Sequence, residues 1–211
     1  MLPSSASGLL HYRQLLERAW ASVDAAALDR VLAALWATYQ AGGTVLIFGN
    51  GGSATTASHF SVDLTKGTLG REGDLAVEPC RSLALADNSG LITAWANDTR
   101  FDRIYAEQIH AWARPGDLAF AISASGNSSN VLQAVEEARG QGLVTVGLSG
   151  FGGGRLAGAA DHGIVVDAAD YGVVEDVHLS LTHVICYWVH EQFRAGHGRS
   201  RPAESPPRPT P

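Results

Sequence analysis

Two short stretches hold side chains spaced so that they could move a proton or bind a metal ion together. One carries His59 and Asp63, four residues apart; the other carries Glu175, Asp176, His178 and His183. On a helix, residues four apart share a face, so His59 and Asp63 project together. Glu175 and His183 lie about 80° apart around a helix axis, and His178 lies about 60° to the other side of Glu175. Two imidazoles and two carboxylates from two helices suit a divalent, zinc-type ion. Singly, His59 reads as a capping or core hydrogen-bonding group and His183 as a satisfied interior histidine. As a set, they read as a site.

Two glycine- and serine-rich turns offer a complementary chemistry. Gly49-Asn50-Gly51-Gly52-Ser53 follows the apolar run 45–48, and Ser123-Ala124-Ser125-Gly126-Asn127-Ser128 follows the run 118–122. A strand, a turn without bulk and a helix N-terminus bind anions, because unpaired N–H groups and the helix dipole point at the ligand. The hydroxyls of Ser123, Ser125 and Ser128 add donors suited to a phosphate monoester. Ser53 is expected to N-cap the helix that carries His59 and Asp63. The first turn is not a dinucleotide fingerprint. G-x-G-x-x-G needs glycine at 54, where Ala54 stands, and no acidic residue ends the next strand. A dinucleotide-dependent oxidoreductase is therefore disfavoured.

These groups need a scaffold. Apolar runs at 45–48, 81–85, 118–122, 143–148 and 164–166 read as strands. Helical patterns at 87–95, 101–113, 129–141, 152–160 and 173–195 fall among the later ones. Such alternation predicts an α/β fold, an open five-stranded parallel sheet with helices on both faces (three-layer, flavodoxin-like). Ligands then lie beyond the carboxyl ends of the strands. Two further helices, at 8–23 and 25–41, precede the first strand. Trp20 and Trp36 offer apolar area for a subunit contact, so 1–43 reads as an N-terminal helical arm of the same domain. Residues 44–195 hold the domain proper and 68–79 a loop. The stretch 196–211, rich in proline and charge, reads as a disordered tail.

At 211 residues and 45% hydrophobic, the chain can bury the core of one such domain. A formal net charge of −6 and the lack of a basic run argue against nucleic acid, while helix N-termini still admit anionic ligands. Cys80 and Cys186 fit neither a zinc knuckle nor a C-x-x-C pair and are expected as buried thiols. The N-terminal stretch lacks the pattern of a secretory leader, and no apolar run approaches the ~20 residues of a membrane span. The expected compartment is the cytoplasm, with no membrane partner.

The segments GNGGSATTASHF (49–60), WANDT (95–99), ISASGNSSNV (122–131) and VEDVHLSLTH (174–183) resemble those of sugar isomerase (SIS) domains, the phosphoheptose isomerase group in particular. The likeness spans about residues 8–191. It implies a zinc-assisted aldose–ketose isomerisation of sedoheptulose 7-phosphate, with one zinc ion per site. It also implies a homotetramer with its sites between subunits. On the same likeness Asn50 and Ser53, with the turn residues Gly51 and Gly52, would contact the substrate, as would Asn97, Asp98 and Glu175. Ser123, Ala124, Ser125 and Ser128 would hold the phosphate, Ala124 standing where threonine is usual. His59, Asp63, Glu175 and His183 would hold the metal, with Asp63 as base and His183 as its acid–base partner. Three positions depart from the family pattern: Asp63 for glutamate, Glu175 for glutamine and Gly172 for aspartate. The first two keep oxygen ligands and leave the exact sugar open. Other proteins with this fold sense sugar phosphates or serve as tetrameric adaptors; the retained histidines and acids favour an enzyme.

Overall fold

The computed structural model of the chain describes residues 5–69 and 77–200. One parallel sheet holds β1 (Thr44–Gly49), β2 (Arg81–Ala84), β3 (Leu118–Ser123), β4 (Val144–Ser149) and β5 (His162–Val165). Their spatial order is β2-β1-β3-β4-β5, so the direction of winding reverses between β1 and β3. Ligand crevices open at such a reversal, beyond the carboxyl ends of the strands. Register sets Gly49 opposite Ile122 and Ser123 opposite Ser149, which brings the two glycine- and serine-rich turns to that crevice.

The described helices are α1 (Ser5–Ala21), α2 (Ala25–Gln40), α3 (Gly52–Thr65), α4 (Ser89–Asp98), α5 (Ala106–Trp112), α6 (Ser129–Gly140), α7 (Leu156–Ala159) and α8 (Tyr171–Arg194). Successive strand side chains point to opposite faces. Val45, Ile47, Phe120 and Ile122 accordingly pack with α2, α3 and α8, while Leu46, Phe48, Ala119 and Ala121 pack with α5 and α6. Phe60 of α3 meets Phe120 of β3 edge to face, with centroids 5.0 Å apart and both rings fully buried. Val173, Val177, Leu181, Ile185 and Val189 recur every fourth residue of α8 and are likewise buried. These two apolar stripes fix the helices that carry the candidate chemistry.

Helix ends follow local chemistry. Asp24, Asn88 and Asp170 cap α2, α4 and α8, their side chains accepting from the N–H groups of Ala26, Leu91 and Val173. Ser53 does not cap α3 as expected. It is buried inside the first turn, and the cap falls to Gly51, whose φ of 54° a side chain would strain.

Trp36 is half-buried: it stacks on Tyr39 at 5.1 Å and meets Trp188 at 5.6 Å, tying α2 to α8. The start of the expected tail is docked. Gln40 Nε2 donates to the His197 carbonyl (2.8 Å) and the Arg199 N–H to Tyr39 Oη (2.8 Å). The Glu78 N–H donates to the Arg199 carbonyl (2.7 Å). The remainder of that tail, 201–211, and residues 70–76 of the expected loop lie outside the described residues. Cys80 and Cys186 are buried free thiols, and burial pushes the first up to about 12. No described helix is long and apolar enough to cross a membrane.

Candidate active site

Packing of α3 against α8 brings His59, Asp63 and His183 together. His59 Nε2 lies 3.2 Å from Asp63 Oδ2 and 3.0 Å from His183 Nε2; His183 Nε2 lies 3.7 Å from the same Asp63 oxygen. All three donor atoms fall within 4.8 Å of one another. Two imidazole nitrogens that face each other at this distance share a hydrogen bond or hold a cation between them. Two nitrogens and an oxygen on two anchored helices could hold a metal ion, with coordination positions left for a ligand. The cluster borders a cavity of about 280 Å³ shared with Gly67, Cys186, Tyr187 and His190.

The two turns form the other half. Asn50 and Asn130 exchange reciprocal side-chain amide bonds, each 2.8 Å, and Tyr105 Oη donates to the Gly49 carbonyl. The amide of Asn50 is thus engaged in fixing the first turn against α6. In the second turn Ser123 Oγ donates to Ser128 Oγ at 3.4 Å, a long contact that leaves both hydroxyls able to turn to a ligand. Ser125 Oγ accepts from the Asn127 N–H (3.2 Å). Ser128 stands at the cap position of α6 without making a side-chain cap bond. Ala124 is buried, and its carbonyl accepts from the Gly150 N–H (2.8 Å). A side chain at Gly126 would meet the Gly153 carbonyl at 2.1 Å, so the two loops interlock through glycine.

Glu175 does not join the metal-type cluster of its own chain. Its carboxylate lies against Gly52, where a Cβ would meet Oε2 at 2.4 Å. Angular spacing misleads here: eight residues also separate Glu175 from His183 by about 12 Å along the helix axis. His178 is buried beside the Ser149 backbone, and among the described residues neither ring nitrogen makes a well-formed hydrogen bond. Asp176 instead accepts from Tyr12 Oη (2.8 Å). Asn97 and Asp98 lie in the exposed last turn of α4, Asn97 Nδ2 donating to Asp98 Oδ1 (2.8 Å). Neither bonds the turns among the described residues. Asn130 and Tyr105 were not anticipated as parts of the site. A polar residue in an otherwise apolar helix stripe, Asn130 between Ser129 and Val131, was the available signal for the first.

A switch-point crevice between two phosphate-type turns, with an imidazole–carboxylate cluster on the flanking helices, defines a sugar isomerase domain. The SIS domain model matches residues 11–150. The phosphoheptose isomerase of Crocosphaera subtropica is 35% identical over 189 residues, covering 89% of this chain and 93% of that protein. The phosphoheptose isomerase structure from Francisella tularensis superposes with a TM-score of 0.82 at 27% identity, over 90% of this chain and 100% of that one. That from Neisseria gonorrhoeae gives 0.78 at 26% identity, over 88% and 96%. The chain belongs to the SIS-domain family, in its phosphoheptose isomerase group, and is a sugar-phosphate isomerase.

Proposed function

We propose that the enzyme interconverts sedoheptulose 7-phosphate and D-glycero-D-manno-heptose 7-phosphate, with His59, Asp63 and His183 as its reactive cluster. The observation that carries this reading is the convergence of those three donors within 4.8 Å on helices that border the turns. From Gly52 to His59 the rise along α3 is about 10 Å. That is a span suited to an extended sugar with its phosphate at one end.

The phosphate sits at the start of α6, held by backbone N–H groups and the hydroxyls of Ser123, Ser125 and Ser128. Such anchoring can lower the barrier by ~7–11 kcal/mol at the extreme, through positioning alone. Asp63 removes the proton from C1 of the ketose and returns it at C2 of the enediol. His183 carries the matching proton between O2 and O1. Ser53, Asn97 and Asp98 hold sugar hydroxyls. A zinc ion bound by His59, Asp63 and His183 would polarise the sugar oxygens and stabilise the developing oxyanion.

One chain supplies only part of the pocket. The cavity beside the cluster, about 280 Å³, is below the ~300–1,000 Å³ of small-molecule sites. Tyr187 lines it at 68% exposure, and Val62 and Val184, next in sequence to Asp63 and His183, are 62% and 38% exposed, apolar surface suited to a second copy. The working assembly is a cytoplasmic homotetramer with sites between subunits, in which a neighbour's copy of Glu175 reaches the metal. Helices α1 and α2 belong to the same domain as 44–195.

The experiment is incubation of the purified protein with sedoheptulose 7-phosphate, followed by NMR with and without chelator. Aldose signals that vanish with chelator and return with zinc are expected. Absence of conversion in the zinc-loaded protein would overturn the assignment.

A further inference from the structure

We propose that Phe151 and Tyr171 form an aromatic wall of the sugar pocket, against which the carbon chain of the substrate packs. The inference rests on the sugar-phosphate reading above and concerns what selects the sugar, not what grips the phosphate. Phe151 has a φ of 50° and is the sole non-glycine residue in the left-handed region among the described residues. The next three residues, Gly152, Gly153 and Gly154, also have positive φ, at 76°, 94° and 56°. Glycine adopts such backbone freely, whereas a bulky side chain there is strained. A phenylalanine kept at the first of these four positions is a cost that the turn itself does not require, and strain of this kind gathers at functional sites.

The ring is held in place. Its backbone N–H donates to the Ala168 carbonyl (2.9 Å), and its centroid lies 4.7 Å from that of Tyr171 at an interplanar angle of 45°. The pair also stands in the right place. Gly150, the preceding residue, donates its N–H to the Ala124 carbonyl in the serine turn (2.8 Å). Tyr171 is one helical turn before Glu175 and shares its face of α8, and the Glu175 carboxylate abuts Gly52. Phe151 thus lies one residue from a bond to the serine turn, and Tyr171 lies one helical turn from the residue that abuts the start of α3. Tyr171 is 59% exposed, so its face is open to a ligand. The electron-rich face of an aromatic ring accepts the polarised C–H bonds of a sugar, while the hydroxyls point away to polar partners.

The test compares calorimetric binding of sedoheptulose 7-phosphate and of inorganic phosphate to the intact enzyme and four variants. Phe151→Gly suits the backbone and removes one ring; Tyr171→Ala removes the other; Phe151→Tyr and Tyr171→Phe keep both faces. The first two should weaken sugar-phosphate binding about tenfold and change phosphate binding less than about twofold, with the conservative pair close to wild type. Unchanged sugar-phosphate affinity, equal loss for both ligands, or a wild-type enzyme that binds the sugar phosphate no better than phosphate would each overturn the wall. So would a changed oligomeric state in sedimentation, which would assign the rings to a subunit contact. Turnover is measured separately on the wild type: its absence sinks the heptose assignment, while the binding comparison decides the wall.

Discussion

His59 and His183 meet across two helices with their Nε2 atoms 3.0 Å apart and their ring centroids 5.0 Å apart, at an interplanar angle of 61°. Neither helix alone could make this arrangement. Its chemistry follows from the Asp63 carboxylate, which lies within 4.0 Å of both nitrogens: an acidic oxygen and two facing imidazoles form a seat for a cation.

Metal binding should depend on all three side chains. Protein stripped by chelator and dialysed against zinc is expected to retain one ion per chain, measured by mass spectrometry. His59→Ala, Asp63→Ala and His183→Ala should each weaken retention at least tenfold, on the order of what loss of a supporting group costs a zinc site. Undiminished retention in all three would remove the cluster from consideration.

Asp63→Asn and His183→Ala should each lower kcat/KM by about 10²–10⁴, the usual contribution of a positioned acid or base. Asp63 and His183 are part-exposed to well exposed, so thermal melting should shift little. Full turnover in either variant contradicts the roles given above.

Gly52→Ala places a methyl group 2.4–2.7 Å from the Glu175 carboxylate, which must then swing away. A flexible side chain can yield, so the fold should survive. Catalysis should fall about tenfold if the Glu175 position matters to the pocket, by the sensitivity of rates to small displacements. Kinetics identical to wild type would show that this contact plays no part in the reaction.

Phe120→Ala is expected to cost ~3–5 kcal/mol, because it opens a cavity in the central strand and removes the edge-to-face partner of Phe60. Chemical denaturation would read this directly. A loss below about 1 kcal/mol would mean that α3 is anchored by something other than this pair.

Acid should weaken the fold through His178. Burial lowers its pKa from 6.5 to about 4, against a smaller opposing effect of the Ser149 backbone. The unfolded chain then binds the proton more readily than the folded one, so the neutral ring stabilises fully above pH 6.5. That contribution is lost as pH falls towards 4, by roughly 3 kcal/mol at most. His178→Leu should flatten the slope of stability between those values relative to wild type. A wild-type slope retained in the variant would assign the acid sensitivity to carboxylates instead.

How much of this was legible in the chain itself differs from element to element. The apolar runs around Ile47, Phe120 and Val146 give the strands, because a strand buried on both faces must be apolar throughout. The four-residue repeat from Val173 to Val189 gives α8 for the same reason of burial. The glycine- and serine-rich turns are also readable, since only small residues leave backbone N–H groups open to an anion. The pairing of His59 with Asp63 was readable from helical spacing alone.

What spacing could not give is distance between helices or along one. His59 and His183 are 124 positions apart, and only the packing of α3 on α8 puts their rings in contact. Glu175 looked equivalent to His183 by angle, yet axial rise and the approach to Gly52 separate them. Trp36 meets Trp188 and Phe193 of its own chain, a contact that spacing alone did not show. The sequence by itself determined which residues are apolar, small or ionisable, and so the local elements and the chemistry on offer. Only the tertiary structure decided which of those groups meet, because contact depends on how independently formed helices dock on a shared sheet, and that docking is set by the sum of many buried side chains rather than by any local pattern.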